Sequence, residues 1–198
     1  MRVLGLDAAG ARCSVCVVED GVVIAEAERE AVFGQPAILP AMVDAVLGDS
    51  ALDLVAVGTG PGGFTGIRTA LSLAHGLADG RGIDVVGVSV LEALPALMHN
   101  PEQRVIWAAI DNRRGGIFLL RPDCTAQSLA EASLPNPSLP VLLAGSGAAV
   151  AVARYLARGM PAALGRPLGP LARGIALAAA GGALGRPEPL YIDQPAVT

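Results

Sequence analysis

Residues 5–18, GLDAAGARCSVCVV, read as a strand that closes on Asp7, then a turn, then a returning strand. Residues 109–120, AIDNRRGGIFLL, repeat that grammar, with Asp111 in the place of Asp7. A second echo follows each unit. Residues 55–60 (VAVGTG) and 142–147 (LLAGSG) both run from an apolar strand through glycines into a helical pattern. The second echo lies closer to its hairpin than the first does. The reading is an α/β chain built from a duplicated ββ(β)αβα lobe, its second copy reduced.

Working outward, residues 3–7, 13–18 and 22–28 read as three strands on short turns, which predicts an antiparallel meander. Ile38, Leu39, Met42, Val43, Val46 and Leu47 keep helical spacing, and Gly48 is the expected stop. A strand at 54–58 enters the glycine-rich loop 58–66 (GTGPGGFTG). A helix over 67–78, a strand over 83–88 and a helix over 91–98 follow. In the second half, 105–111 and 117–120 read as strands, and 122–140 as a turn-rich stretch of low periodicity that runs over the second lobe. Residues 171–184 carry an Ala-rich helical pattern, and 187–198 a Pro-containing tail. The expected lobes are 1–100 and 101–198, with the last helix free to pack back on the first.

The chain of 198 residues is 53% apolar, which excludes disorder and supplies a core. Aromatics are 3%, leaving few platforms for stacking single-stranded nucleic acid. Net charge is −4, and every basic residue is Arg; the sole adjacent pair is Arg113-Arg114. A grip on nucleic acid by counterion release needs more clustering than that. The absence of Lys removes Schiff-base chemistry and a P-loop lysine. Three cysteines do not make a secreted disulfide framework. No apolar run reaches about 18 residues, and the opening MRVLGLDAAG does not read as a signal peptide. A cytoplasmic protein with no membrane contact is expected.

Cys13 and Cys16 spell C-x-x-C, but residues three apart on a strand face opposite sides, so plain strand cysteines are expected and no metal. Gly58, Gly60 and Gly63 spell G-x-G-x-x-G between strand and helix. The strand is the fourth, and the next ends in Val88-Ser89 without a ribose-binding acid, which argues against a dinucleotide. The loop can leave helix-start amides free for an anion, or serve as a structural turn or contact surface. Asp7, at a strand end, is either a metal–phosphate anchor or a turn-capping carboxylate. Its turn, Ala8-Ala9-Gly10, offers no hydroxyl. Arg68 falls in the first turn of the 67–78 helix, where the macrodipole disfavours a cation and an anionic neighbour is expected. The 38–47 and 67–78 helices are apolar on most sides, so another element or another chain should cover them. No nucleophile–base set and no carboxylate pair stands out.

The run Gly58-Thr-Gly60-Pro61-Gly62-Gly63-Phe64-Thr65-Gly66-Ile67-Arg68 resembles the TsaB (YeaZ) family, whose pattern is G-x-G-P-G-S-F-T-G-L/I-R. Gly63 stands where the family has Ser. The resemblance extends through residues 86–94 (VGVSVLEAL), the opening 4–7, Leu39-Pro40 and residues 110–115. It implies the actin/Hsp70-like (ASKHA, ribonuclease H-like) fold with a reduced second lobe. It also implies a subunit without catalysis of its own. Such a subunit pairs with a larger TsaD-like subunit and a TsaE-like ATPase, and the complex transfers a threonylcarbamoyl group to the tRNA adenosine next to the anticodon. On this resemblance the chain binds no cofactor by itself; ATP and metal sit on the partners. It meets tRNA through the complex, and forms a homodimer when isolated. The implied interface comprises Ile38, Leu39, Met42, Val43, Val46, Ile67, Ala70, Leu71, Ala74, His75 and Ala78. The loop Gly60, Pro61, Gly62, Gly63, Phe64, Thr65, Gly66 with Arg68 positions it. Asp7 and Asp111 mark any residual nucleotide site. Family members usually carry Asp-Thr-Ser after the first strand, and His-Ser before the first helix. Here Asp7-Ala8-Ala9 and Gln35-Pro36 stand instead. The competing readings are a self-sufficient ASKHA ATPase or kinase and, more distantly, a metalloprotease.

Overall fold

The computed structural model describes residues 1–31, 34–48, 50–122 and 124–192. The expected tail's last residues, 193–198, lie outside that description. The chain forms two compact units: Met1–Leu97 with Gly169–Leu190, and Met98–Leu168 with the described residues from Tyr191 on.

In the first unit β1 (Arg2–Asp7), β2 (Arg12–Glu19) and β3 (Val22–Glu30) form the antiparallel meander. After α1 (Gln35–Leu47), β4 (Leu54–Gly58) returns parallel to β1. After α2 (Phe64–Arg81), β5 (Asp84–Val88) lies parallel to β4. The sheet order is β3-β2-β1-β4-β5. A short α3 (Val90–Ala93) follows, opened by a capping box in which Ser89 and Glu92 satisfy each other's amides.

The second unit repeats this order. β6 (Val105–Asp111), β7 (Gly116–Leu120) and β8 (Gln127–Ala130) form a second meander. β9 (Val141–Ala144) is parallel to β6, and β10 (Ala162–Leu164) is parallel to β9 beyond α4 (Ala148–Ala157). The order β8-β7-β6-β9-β10 matches the first sheet strand for strand. The reduction is local: where α1 joins the third and fourth strands in the first unit, a 3-10 turn at Glu131–Ser133 does so here. The last helix, α5 (Leu171–Ala180), belongs to the first unit.

Strand alternation sorts the first sheet's side chains onto two faces. Leu4, Leu6, Val15, Val17, Val55 and Val57 share one core with α1 and α2. Val3, Cys16, Val18 and Ala56 share another with Ala172, Ile175 and Ala176 of α5. Gly5 permits the close approach, since a Cβ there would overlap the Ala172 carbonyl. Pro170 precedes α5 and provides no side-chain cap, so β2 supplies one. The Ala172 amide donates to the buried Ser14 Oγ at 3.1 Å.

Several expected boundaries move. The helix placed at 67–78 begins at Phe64, and the one at 38–47 begins at Gln35, with Pro36 in its first turn. The helix expected at 91–98 is α3 followed by a 3-10 turn at Leu94–Leu97, because Pro95 has no amide to continue an α ladder. The helix expected at 171–184 stops at Ala180, where Gly181 caps it. The turn-rich stretch 122–140 holds β8, a four-residue edge strand too exposed to show alternation, and the 3-10 turn. β10, three residues long, left no periodic signal. Among the described residues, no helix is long and apolar enough to cross a membrane.

Candidate protein-interaction site

The glycine loop is anchored from both ends. The Thr59 amide donates to the Val88 carbonyl at 3.0 Å, and the Val90 amide donates to the Gly60 carbonyl at 3.2 Å. Gly60 has φ +94 and a cis bond to Pro61. The loop then presses on the turn after β1. The Gly63 amide donates to the Ala9 carbonyl at 2.7 Å. A Cβ at Gly62 would overlap that same carbonyl oxygen, and one at Gly66 would overlap the Ala8 carbonyl oxygen. These glycines serve close backbone contact within the chain, and Ala8 and Ala9 lie buried beneath them. At Gly63 a Cβ would meet only the Ala9 oxygen, at 3.5 Å, so the serine usual in this pattern has room there.

The expected interface residues divide by face. Leu39, Met42 and Val43 of α1, with Ile67, Ala70, Leu71, Ala74 and Ala78 of α2, are buried in the first unit's own core. They fasten the two helices to the sheet. Ile38 and Val46 are half-buried, and His75 is exposed. The outward surface is a groove between the helices, about 510 Å³ in volume. It is lined by Pro36, Pro40, Phe64, Thr65, Arg68, Thr69, Ser72 and Leu73. Phe64 is 54% exposed, and the Arg68 guanidinium lies 3.9 Å from its ring centroid. Because α2 starts at Phe64, Arg68 sits in the second turn, not the first, and the argument from dipole repulsion lapses. Pro36, Pro40, Thr69, Ser72 and Leu73 were not among the expected interface residues. Their signal was present, since 36 and 40, 64, 68 and 72, and 65, 69 and 73 are spaced by four on helices.

The two strand-end aspartates have different surroundings. Asp7 is 4% exposed. Burial pushes its carboxyl up to about 6, against a 3.4 Å hydrogen bond from the Ala9 amide that lowers it, while Glu28 adds a further upward push. Asp111 is exposed and accepts the Arg113 amide at 2.7 Å, while its own amide donates to Ser146 Oγ at 3.0 Å. Among the described residues, no group of three His, Cys, Asp or Glu could hold a metal ion.

Cys13 and Cys16 lie in the two cores on opposite sides of the sheet. Burial raises both thiols, Cys16 to about 12. Iodoacetamide at neutral pH is therefore expected to label the exposed Cys124 alone in the folded protein, and all three cysteines in denaturant. Mass spectrometry of the native reaction counts the adducts; rapid native labelling of Cys13 or Cys16 would contradict this packing.

Comparison with known proteins adds to this geometry. The family model described as "TsaD: tRNA N6-adenosine threonylcarbamoyltransferase" matches residues 20–133. The chain is 39% identical over 124 residues to the tRNA threonylcarbamoyladenosine biosynthesis protein TsaB of Escherichia coli (strain K12), over 60% of this chain and 53% of that protein. The TsaB of Haemophilus influenzae is 34% identical over 126 residues, covering 60% of this chain and 52% of its own. The chain thus spans about half the length of the curated relatives it matches. The solved structure of YeaZ from Pseudomonas aeruginosa superposes with TM-score 0.71 and 26% identity, over 96% of this chain and 99% of that one. A ROK hexokinase from Thermus thermophilus, at 12% identity and TM-score 0.53 over 90% and 97%, shares the fold, the duplicated actin/Hsp70-like (ASKHA) architecture.

Proposed function

The chain belongs to the TsaB (YeaZ) family, and from that premise we propose that it is a non-catalytic partner subunit in making threonylcarbamoyladenosine in tRNA. In this reading a larger TsaD-like subunit carries the metal and transfers the threonylcarbamoyl group to the adenosine next to the anticodon. A TsaE-like ATPase joins them, and the present chain completes the TsaD-like subunit's active state through contacts made to that state alone. The observation that carries the reading is the outward groove of α1 and α2, where Phe64 stands exposed at its rim. An exposed aromatic beside apolar and hydroxyl side chains fits a protein partner better than a small polar substrate. In this reading the same face pairs two copies of the chain when it is isolated. Against a self-sufficient ATPase stands the Ala8-Ala9 turn, whose carbonyls are pressed by the glycine loop and which carries no side-chain donor.

The test is reconstitution with TsaD-like and TsaE-like subunits, tRNA, ATP and threonylcarbamoyladenylate, omitting each component in turn. Omitting this chain should abolish modification of tRNA. Phe64→Glu should weaken pairing by roughly 30-fold, the size of a 2 kcal/mol interfacial anchor, while leaving the melting temperature close to the parent's. Phe64 is the right site, because a charge at Leu71 or Ala74 would enter the core and unfold the unit. Full modification without the chain would overturn the proposal.

A further inference from the structure

β5 is one of the two edge strands of the first sheet, and its open edge is a row of backbone groups in need of partners. The chain that leaves α5 comes back to meet it. Gly185 bridges antiparallel to Gly87, whose amide donates to the Gly185 carbonyl at 2.9 Å. Farther on, the Leu190 amide donates to the Thr59 carbonyl at 2.9 Å. Thr59 is buried, near the start of the glycine loop and immediately before Gly60. Its methyl and the Arg186 carbonyl converge on Gly87, at which a Cβ would lie 2.7 Å from the one and overlap the other. The loop base is thereby held from two directions, by Val88 and Val90 on one side and by Leu190 on the other.

We propose that residues 183–190 act as a strap that sets the position of the glycine loop, and through it the start of α2 and the groove. A partner or modification that draws the tail away would release the Thr59 carbonyl and loosen the loop. The backbone course supports this order of events. Thr59 to Val88, Val90 to Gly60 and Gly63 to Ala9 are single backbone hydrogen bonds, so losing the Leu190 bond takes away one of four such supports and loosens the loop locally.

Hydrogen exchange read by mass spectrometry on the full chain tests the strap. Leu190→Pro removes the one amide that reaches Thr59, and Leu190→Ala keeps it. In Leu190→Pro, amides in peptides covering residues 60–67 should exchange at least about tenfold faster than in the parent. Those of β1 should be unchanged, and Leu190→Ala should match the parent. Three results would overturn the proposal: loop exchange in Leu190→Pro equal to the parent's; equal acceleration in Leu190→Ala, which would assign the effect to side-chain packing; or loss of protection in β1 as well, which would make the tail an ordinary part of the core. None of these depends on the TsaD-like partner, so the strap and the proposed function stand or fall separately.

Discussion

Gly66→Ala is expected to destabilise the first unit by about 3 kcal/mol or more, although alanine is the better helix former. Gly76→Ala, in the same helix, is expected to stabilise it by about 1 kcal/mol. Both glycines lie within α2, and neither has a positive φ. They differ in what a Cβ would meet. At Gly76 there is nothing within 4 Å. At Gly66 the new carbon would overlap the Ala8 carbonyl oxygen, with the Ala8 carbonyl carbon at 2.9 Å and Ala9 Cα at 3.7 Å behind it. Those are backbone atoms of the turn after β1, and they cannot swing aside as a flexible side chain would. The helix must lift from the sheet, and Ile67, Ala70 and Leu71 lose their places in the core. Urea denaturation of the two variants beside the parent decides the matter. If Gly66→Ala is as stable as Gly76→Ala, the contact between loop and turn does not hold the helix start.

Asp7→Asn is expected to stabilise the protein at neutral pH by about 3 kcal/mol, and to lose that advantage below pH 4. The carboxyl is buried, and its folded pKa is raised from 3.8 to about 6, chiefly by desolvation. A carboxyl raised in this way binds its proton more tightly in the folded state than in the unfolded one. The folded state therefore gains from it fully below pH 3.8, when both states are protonated. That gain is lost as pH rises from 3.8 through about 6, and at higher pH the deficit is constant. The span of about two pK units corresponds to about 3 kcal/mol. Asparagine has a similar shape and no charge, so its advantage should follow the same window. Thermal melts of both proteins from pH 3 to pH 8 measure it. A pH-independent difference, or a parent more stable than the variant at pH 7, would show that the Asp7 charge is compensated in the folded protein.

The backbone plan was legible because its signals are local. Runs of Val, Ile and Leu that close on Asp7 and Asp111 mark strands by composition alone, and the turns that follow each reverse the chain. Two copies of that pattern, each leading through glycines to a helix, were enough to read the duplication. The two sheets share one strand order. C-x-x-C at 13–16 was likewise decided by the period of a strand, and its two thiols occupy opposite faces. What failed locally was short or exposed. β8 and β10 span too few residues for a period to declare itself, and the proline at 95 turned an expected helix into a 3-10 turn.

Three features of the site lay beyond any local reading. Spacing by four sorts the residues of α1 and α2 into faces, but it does not say which face meets the sheet. The fold turned Leu39, Met42, Leu71 and Ala74 inward and left Phe64, Arg68 and Ser72 on the groove. Asp7 and Asp111 occupy equivalent places in sequence, yet one is sealed and the other exposed. The glycines of the loop were visible, but not their purpose. Only contact with the Ala8 and Ala9 carbonyls shows that they are needed for close approach more than for unusual dihedrals. The chain's own periodicity determined strands, turns and their repetition, because those depend on neighbours along the backbone. Burial, the titration of Asp7 and the face offered to a partner depend on atoms brought near through space, and the tertiary structure alone decided them.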